Sequence, residues 1–483
     1  MRYSMLATIT NMAKTLLEAA QYLASAPAGD IRTELLDNGR QMMGQIKDVL
    51  ERHSGDLRTT LPLERLWKIE QLWGGEDAPA LEEALEELIL KLPEEVSYQV
   101  RAVFFAELGE KWDAMESVYA YMRDDPRFDP VVVRTPVGRV VMRDGKREQE
   151  TIYKDFLTPM GIPSLGYNQY SLEEDCPELA FISQPYESCT LREFWPETIA
   201  KVTRLVYLPY FLPSIVLSDY PDVLCRMPVY NVAWKVIGSN KKHFDYYCKH
   251  SSHGGANMLV TGVPKMDPVV RSRNSSVPLP PGWEKIKGKK VILWNSWFDV
   301  NASSFRFFDE IFAWFMSHED WALIWRPHPV TETIVKLYSP DRYSQWRTSI
   351  KRIKSAPNAV LDEEPSYLPA FAYSDAQISD HSSLMQQYLP MDKPLLWINN
   401  LSPSVTGEEF VSTQWMERGE TSEDIISFLE QMRQGIDQKG NLRKEILRRD
   451  LPTADGHCGE RVCQALWDAL HLEENITKQA AEE

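Results

Sequence analysis

Two short polar segments follow apolar runs where buried strands are expected to end. Arg326 and His328 come directly after "WALIW", and Pro327 and Pro329 restrict the backbone around them. An arginine can hold a phosphate through paired N–H groups, and a histidine can donate a hydrogen bond or a proton to a phosphate oxygen. These residue types indicate phosphate chemistry. The alternative is a loop histidine bonded to a neighbouring carbonyl, because motifs of this size also occur by chance.

The second segment, "SDHSS", lies between the short apolar run "AQIS" and a helical pattern, and it contains Asp380, Ser382 and Ser383. Free N–H groups at a helix N-terminus, together with two hydroxyls, can bind phosphate. Capping explains the same residues, since Ser and Asp are preferred at this position. The pairing of both segments favours phosphate binding, because ligands bind where the carboxyl ends of parallel strands meet.

Alternating strand and helix patterns surround both segments. Strands are predicted in "KVILWN", "WALIWR", "AVLD", "AQIS" and "PLLWIN". The helices predicted between them are "SFRFFDEIFAWFMS", "TIVKLYSPDRYSQWRTSIKRIK", "SYLPAFAYS" and "SLMQQYL". An earlier series has strands in "VRAVFF", "PVVVRTPV", "LAFISQ", "RLVYLPYF" and "MLVTG", and a helix in "PVYNVAWKVIGSNKKHFDYY". Such alternation builds parallel sheets covered by helices. The sequence therefore predicts an α/β fold with two facing Rossmann-like domains.

The domain prediction has four regions. Residues 1–95 have only helical patterns and form an accessory module, and the turn-rich tract "VPKMDPVVRSRNSSVPLPPGW" is the linker, with a boundary near residues 270–283. The remaining regions are an acceptor-side Rossmann-like domain at 96–275, a donor-binding one at 276–450, and a helical tail at 451–483.

Composition limits the function classes. A formal net charge of -17 argues against a nucleic-acid partner, because phosphate contacts need a basic field. The six cysteines lack a C-x-x-C pair, so reduced thiols in the cytoplasm and no metal site are expected. No transmembrane span is predicted. The N-terminal amphipathic helix indicates packing or dimerisation, and peripheral contact with the cytoplasmic face of the membrane is the alternative; the oligomeric state stays undefined.

Residues 95–450 resemble the CDP-glycerol glycerophosphotransferase family, which synthesises teichoic acids and related cell-surface polymers. In the second domain, "RPHP" and "SDHSSLMQQYL" are similar to its HP and S/D-x-S-S motifs. In the first domain, segments that recur in one branch of the family are similar to "AVFFAELGEKWDAMESVYAYMRDDPRFDPVVV", "ELAFISQPYE", "RLVYLPYF" and "VTGVPKMD".

The resemblance implies a GT-B architecture and an enzyme without a further cofactor. Its reaction transfers glycerol phosphate, or a related polyol phosphate, from a CDP-linked donor to a hydroxyl of a polymer or lipid-linked acceptor, and releases CMP. By position, His328 stabilises the departing phosphate and Arg326 assists. Asp380, a catalytic candidate, binds the donor together with Ser382 and Ser383.

The sequence departs from the family at two places, which leaves the base and the acceptor open. The tryptophan-histidine-glycine motif of the polymerase branch has no counterpart, and "WNSWFD" stands where Pro-Thr-Phe/Tyr-Arg is expected. A base is needed because the acceptor hydroxyl must lose its proton. Asp113 and Glu107 are candidates for the base by position, with Glu107 on the acceptor side, and Gln184 and Tyr186 are candidates for contact with the acceptor. The alternatives are a helix cap for Asp113 and a structural turn for Gln184 and Tyr186.

Trp297 is a candidate platform for the cytosine ring, although a tryptophan is more often part of a core. Two rival functions remain. A GT-B glycosyltransferase would keep the phosphate site but move a sugar from a nucleotide sugar. A non-catalytic nucleotide-binding scaffold would act through the helical module. The basic clusters at 285–290, 351–354 and 443–449 are typical of solvated faces, and contact with an anionic polymer or lipid is the alternative.

Overall fold

The computed structural model describes residues 1–53, 60–143, 146–215, 225–273, 275–398 and 408–482. The chain divides into two compact units. The first contains residues 1–103, 122–131 and 176–179, and the second contains residues 104–121, 132–175 and 180–483. The domain boundaries given above stay predictions.

Helices make up most of the first unit, as predicted. They are α1 (Tyr3–Ser25), α2 (Asp30–Arg52), α3 (Thr60–Leu72) and α4 (Ala78–Glu95). Apolar residues three or four apart form one buried face per helix, and these faces share a core. Gly39 allows α2 to approach Trp73, since a Cβ there would lie 2.0 Å from the indole ring. Among the described residues, no helix has the length and apolarity needed to cross a membrane.

The first sheet has seven strands in the order β5-β2-β1-β6-β7-β8-β9, and β3 and β4 form a separate antiparallel pair. The strands are β1 (Val100–Ala106), β2 (Phe128–Arg134), β3 (Val137–Arg143), β4 (Lys146–Ile152), β5 (Leu165–Gly166), β6 (Leu179–Ile182), β7 (Arg204–Tyr207), β8 (Lys235–Gly238) and β9 (Met258–Val260). The helices are α5 (Gly109–Trp112), α6 (Glu116–Asp124), α7 (Leu172–Asp175), α8 (Pro196–Ile199), α9 (Pro228–Val232), α10 (Lys241–His250) and α11 (Met266–Ser272).

Two predictions for this region were wrong in detail. The segment predicted as one helix, 228–247, contains strand β8, because Val236 and Ile237 are fully buried in the sheet. Part of the predicted linker forms helix α11. Its apolar residues Met266 and Val269 are buried in the core, so packing stabilises a helix despite the surrounding turn residues.

The second sheet has six strands, all parallel, in the order β12-β11-β10-β13-β14-β15. The strands are β10 (Lys290–Ser296), β11 (Trp321–Pro327), β12 (Ala359–Leu361), β13 (Ala376–Ser379), β14 (Leu395–Ile398) and β15 (Glu417–Gly419). The helices are α12 (Ser303–Arg306), α13 (Phe308–Ser317), α14 (Thr331–Tyr338), α15 (Tyr343–Ser355), α16 (Leu368–Tyr373), α17 (Ser383–Gln387), α18 (Ser422–Arg433), α19 (Gly440–Asp450) and α20 (Cys458–Glu482).

The central strands of this sheet are apolar on both faces. In β10, Val291 and Leu293 belong to one hydrophobic cluster, whereas Ile292 and Trp294 belong to another. Burial on both faces explains why the sequence of these strands reads as continuous apolar runs. The predicted parallel sheet is confirmed.

The long helix predicted after β11 is interrupted. Helix α14 ends at Tyr338, a short 3-10 turn covers Pro340–Arg342, and α15 begins at Tyr343. Pro340 has no N–H to continue the helical hydrogen bonds and disfavours helical backbone at the residue before it. The prediction of one helix was therefore wrong at this point.

Contacts within the second unit join elements of the two sheets. The Asn240 side chain, at the start of α10, donates to the carbonyl oxygens of Phe410 and Asp450 at 2.9 and 2.8 Å. The Asp267 carboxylate accepts hydrogen bonds from the first N–H groups of α20, those of Cys458 and Gly459. The N-terminus of the C-terminal helix α20 is therefore hydrogen-bonded to α11.

Candidate active site

Three ring side chains follow neighbouring strands of the second sheet at the same level. Asn295 in β10 pairs with Arg326 in β11 and with Ser379 in β13. Two residues after Asn295, Arg326 and Ser379 in the sequence come Trp297, His328 and His381, respectively. Because side chains alternate along a strand, positions two residues apart point to the same side. The two segments singled out in the sequence thus flank the end of β10.

The rings lie close together. The Trp297 ring centroid is 6.2 Å from that of His328 and 6.0 Å from that of His381. Phe298 stacks on Trp297 with 4.4 Å between centroids and meets His328 edge to face. Trp297 and Phe298 follow β10, His328 follows β11 and His381 follows β13. They form an aromatic group at the carboxyl edge of the sheet, where α/β proteins bind ligands.

His328 is fixed by its own turn. Its backbone N–H donates to the Ser296 oxygen at 3.2 Å, and its Nδ1 accepts a hydrogen bond from the Val330 N–H at 3.3 Å. Because Nδ1 accepts, the neutral ring carries its proton on Nε2. Burial and the nearby Arg326 lower the pKa of His328 to about 4. The unliganded site therefore presents a neutral imidazole that donates through Nε2.

Asp380 holds the loop that carries Trp297. Its carboxylate accepts hydrogen bonds from the Trp297 N–H at 2.8 Å and from the Ser303 hydroxyl at 2.9 Å, and the Ser303 N–H lies 3.1 Å away. The side chain is fully buried. Burial raises the pKa of Asp380 to about 7, although these donors oppose the shift. In this arrangement Asp380 positions the aromatic loop.

Arg326 has a similar positioning role. Its guanidinium pairs with the buried Asp362 at 2.8 Å, and it donates to the carbonyl oxygens of residues 364–366. The residue is 8% exposed. Arg326 thus joins the end of β11 to the loop after β12, and its donors are used within the protein.

The two serines occupy different environments. The Ser382 hydroxyl accepts a hydrogen bond from the Leu384 N–H at 3.0 Å, so this residue caps α17. Ser383 is exposed at the first position of this five-residue helix. Capping, the alternative given in the sequence analysis, is therefore present at Ser382. Ser383, two residues after His381 in the sequence, is exposed.

The acceptor-side candidates lie at strand ends of the first sheet. Glu107 follows β1 and pairs with Lys111 at 3.2 Å. Burial raises the pKa of Glu107, and the Lys111 ammonium opposes the shift. Lys111 also lies 5.4 Å from the centroid of the Tyr210 ring, which follows β7. Burial, with the neighbouring Tyr186 hydroxyl, raises the pKa of Tyr210. Glu107 and Tyr186 therefore share one neighbourhood.

Gln184 follows β6, the strand between β1 and β7 in the sheet order. It is 6% exposed, and its side-chain oxygen is buried without a partner among the described residues. A buried amide oxygen without a partner is costly, and such a group often marks a site that a ligand or water completes. This observation supports the acceptor-side placement of Gln184.

Asp113 lies in a different set of contacts from Glu107. It forms an ion pair with Lys265, which is 4% exposed at the start of α11. The Lys265 ammonium lies 5.1 Å from the centroid of the Tyr367 ring. Burial raises the pKa of Asp113, and Lys265 opposes the shift. Asp113 is thus part of a buried ion pair beside Tyr367, the residue that follows the loop bonded to Arg326.

Sequence reasoning missed His381, Ser303 and Lys265. His381 had a signal, because it stands three residues after the buried Ile378 as His328 stands three residues after the buried Trp325. Ser303 and Lys265 had none, since each meets its partner only through the tertiary fold. Among the described residues, no group of three or more His, Cys, Asp or Glu side chains is arranged to hold a metal ion.

A family comparison identifies the class. Residues 231–468 match the family described as CDP-Glycerol:Poly(glycerophosphate) glycerophosphotransferase. These residues include the second sheet and its ring group, so this part of the chain is similar to that family of enzymes. The resemblance given in the sequence analysis is confirmed. No curated protein matches the chain.

Three solved structures are similar to the chain at low sequence identity. The UDP-GlcNAc 2-epimerase from Methanocaldococcus jannaschii, in complex with UDP-GlcNAc and UDP, has a TM-score of 0.51 at 12% identity, covering 76% of this chain and 99% of that one. The Neisseria meningitidis enzyme bound to UDP-GlcNAc has a TM-score of 0.50 at 11% identity, covering 76% and 100%. The wall teichoic acid polymerase TagF has a TM-score of 0.48 at 13% identity, covering 86% and 98%. The two epimerases support the predicted two-domain α/β architecture of GT-B type.

Proposed function

We propose that this enzyme transfers glycerol phosphate, or a related polyol phosphate, from a CDP-linked donor to a hydroxyl of a teichoic-acid-type polymer or its lipid-linked precursor. The family match over residues 231–468 supports the donor and the reaction class. The observation that carries the proposal is His328, whose ring donates through Nε2 beside Trp297 at the ligand-binding edge of the second sheet.

The reaction exchanges one P–O bond for another. The acceptor oxygen attacks the phosphorus that bears the glycerol, and the bond from this phosphorus to the bridging oxygen breaks. CMP leaves with the bridging oxygen, and the acceptor proton passes to a base. His328 donates a hydrogen bond from Nε2–H to the phosphate that gains negative charge, and it stays neutral while doing so.

The donor-binding residues have separate tasks in this proposal. Ser383 and Ser382 contact the diphosphate, and Trp297 stacks on the cytosine ring. Asp380 and Arg326 act on the donor through the loops that they fix, since their side chains are occupied by hydrogen bonds within the protein.

The base is proposed to be one of two first-sheet carboxylates, Asp113 or Glu107. Burial raises the pKa of both, which makes each a stronger base than an ordinary carboxylate. Each also has a lysine partner, which can keep the carboxylate ionised until the acceptor arrives. Gln184 and Tyr186 are proposed to contact the acceptor, and the unpartnered oxygen of Gln184 suits a hydroxyl donor.

The proposed location is the cytoplasm, with peripheral contact to the membrane for access to a lipid-linked acceptor. The six cysteines include no C-x-x-C pair and no framework typical of a secreted protein, which fits a reducing compartment.

The test is a turnover assay with the full chain. CDP-glycerol is supplied with an acceptor polymer, and CMP release is measured for the wild type and for His328→Ala. Turnover of CDP-glycerol that depends on His328 is the expected result. Turnover only with UDP-sugars or CMP-sugars would identify a glycosyltransferase instead. Biological activity that persists in His328→Ala would identify a scaffold.

A further inference from the structure

His381 belongs to the "SDHSS" segment, but the proposed reaction gives it no role. The geometry points to His381 as a second imidazole that binds the diphosphate of the donor, on the opposite side of Trp297 from His328. This inference rests on the proposed function, because it concerns the same donor site.

The sheet register places the two histidines as a pair. His328 follows β11 and His381 follows β13, each two residues beyond the partner of Asn295 in the intervening strand β10. Strands separated by one strand lie about 10 Å apart. A diphosphate that receives a hydrogen bond at each end spans a comparable distance. The rings are also nearly equidistant from Trp297, at 6.2 and 6.0 Å between centroids.

The orientation of the His381 ring leaves one nitrogen for a ligand. Its Nδ1 is buried and has no hydrogen-bond partner among the described residues, whereas the ring as a whole is partly exposed. The exposed edge is therefore the one that carries Nε2. Trp397 packs beside the ring at 5.8 Å between centroids and limits its rotation. A ligand that accepts from Nε2 would fix the tautomer and the ring together.

The charges around His381 favour a neutral ring that meets an anion. Burial and the Arg418 guanidinium lower the pKa of His381 to about 4. Arg418 itself lies 3.6 Å from the centroid of Trp397 and donates to the Thr413 hydroxyl. The ring therefore offers a hydrogen-bond donor without a fixed charge, as His328 does. Two neutral donors can bind a diphosphate that changes charge distribution during transfer.

A histidine with a structural role in the same sheet has a different environment. His318 precedes β11, at the opposite edge of the sheet, and its ring stacks on Trp314 at 4.1 Å between centroids. Its Nδ1 lies 2.8 Å from the Trp314 oxygen and is thereby satisfied within the protein. His318 is the matched control, because it is also a partly buried histidine packed on a tryptophan.

The experiment is an equilibrium titration of the full chain with CDP-glycerol and with CDP. We compare four variants: His381→Phe, His381→Gln, His381→Asn and His318→Phe. Loss of one hydrogen bond to a charged group weakens binding about tenfold, so His381→Phe and His381→Asn are expected to bind about tenfold more weakly. His381→Gln places an amide N–H near the position of Nε2 and stays within about threefold of the wild type. His318→Phe leaves the affinity unchanged.

The outcomes separate this inference from the proposed function. Wild-type affinity in His381→Phe would overturn the inference while leaving the function intact. Equal weakening in the Gln, Asn and Phe variants would also overturn it, because ring packing rather than a hydrogen bond would then be responsible. If His381→Phe fails to fold, the Gln and Asn variants decide. A wild type that binds neither CDP-glycerol nor CDP would remove both proposals.

Discussion

The two sheet edges use their charged groups in different ways. At the edge of the second sheet, Asp380 and Arg326 are buried and bonded to loop groups, and the side chains left for a ligand are neutral rings. At the edge of the first sheet, Glu107 is paired with Lys111, and Asp113 is paired with Lys265. The difference fits the two substrates, since a diphosphate brings its own negative charge whereas a hydroxyl must lose a proton.

The largest effect is expected for substitution of His328, one of the neutral rings at the edge of the second sheet. His328→Ala removes the group proposed to stabilise the leaving phosphate, and kcat/KM for CDP-glycerol is expected to fall about a hundredfold to ten-thousandfold. The unfolding temperature should change little, because the ring is partly exposed. The control is His253→Ala, an exposed histidine bonded to the Asn231 oxygen. Equal kcat/KM values for His328→Ala and His253→Ala would show that the neutral ring at the edge of the second sheet has no part in the reaction.

The next effect tests the paired carboxylates of the first edge. Glu107→Gln and Asp113→Asn are compared by kcat and by chemical unfolding. The variant that removes the base is expected to lose about a hundredfold in kcat, because general-base catalysis contributes at least this much. Asp113→Asn also leaves the buried Lys265 without its partner and is expected to lose about 3 kcal/mol of unfolding free energy. Full kcat in both variants would exclude both carboxylates as the base.

A smaller effect sharpens the role of Asp380. Asp380→Asn turns an amide N–H towards N–H donors, so the unfolding free energy is expected to fall by about 2 kcal/mol. The difference from the wild type depends on pH. Burial raises the pKa of Asp380 from 3.8 to about 7, so between these values the folded state holds a proton that the unfolded state releases.

The contribution of Asp380 to stability is therefore present at low pH and declines as pH rises from about 4 to about 7. The stability difference between wild type and Asp380→Asn should be larger at pH 5 than at pH 8, as measured by denaturant titration. A difference that grows with pH would show that the native carboxyl is ionised throughout.

The smallest effects concern the two serines. Ser382→Ala removes a helix cap and is expected to cost about 1 kcal/mol of unfolding free energy. Ser383→Ala removes an exposed hydroxyl and should cost less than about 0.5 kcal/mol. If both contact the diphosphate, each variant also binds CDP-glycerol a few times more weakly in a titration. A loss of stability without a loss of affinity would leave these residues with capping alone.

The sequence predicted those parts of the fold in which the pattern of apolar residues along the chain matches the residues that are buried. Strands β10, β11 and β13 are buried on both faces, so their apolar runs were visible without tertiary information. The pair β3 and β4 was missed as a hairpin, although Asp144-Gly145 is typical of a two-residue turn; these two residues lie outside the described part of the chain.

The site was predicted by position and not by role. The motif spacing placed Arg326, His328 and Asp380 at strand ends, which the register bears out. It did not show which of them are used inside the protein. Arg326 finds Asp362 and Asp380 finds Ser303, and both partners are distant in sequence. Such pairings depend on how loops fold over the sheet edge, and a residue pattern does not encode this.

The Arg326 guanidinium has a mechanical consequence for the loop after β12. It binds one buried carboxylate and three successive carbonyl groups in the loop that leads to Tyr367. Moving this loop away from β11 would leave the buried Arg326 guanidinium and its acceptors without hydrogen-bond partners. The loop is therefore held rigidly to the end of β11.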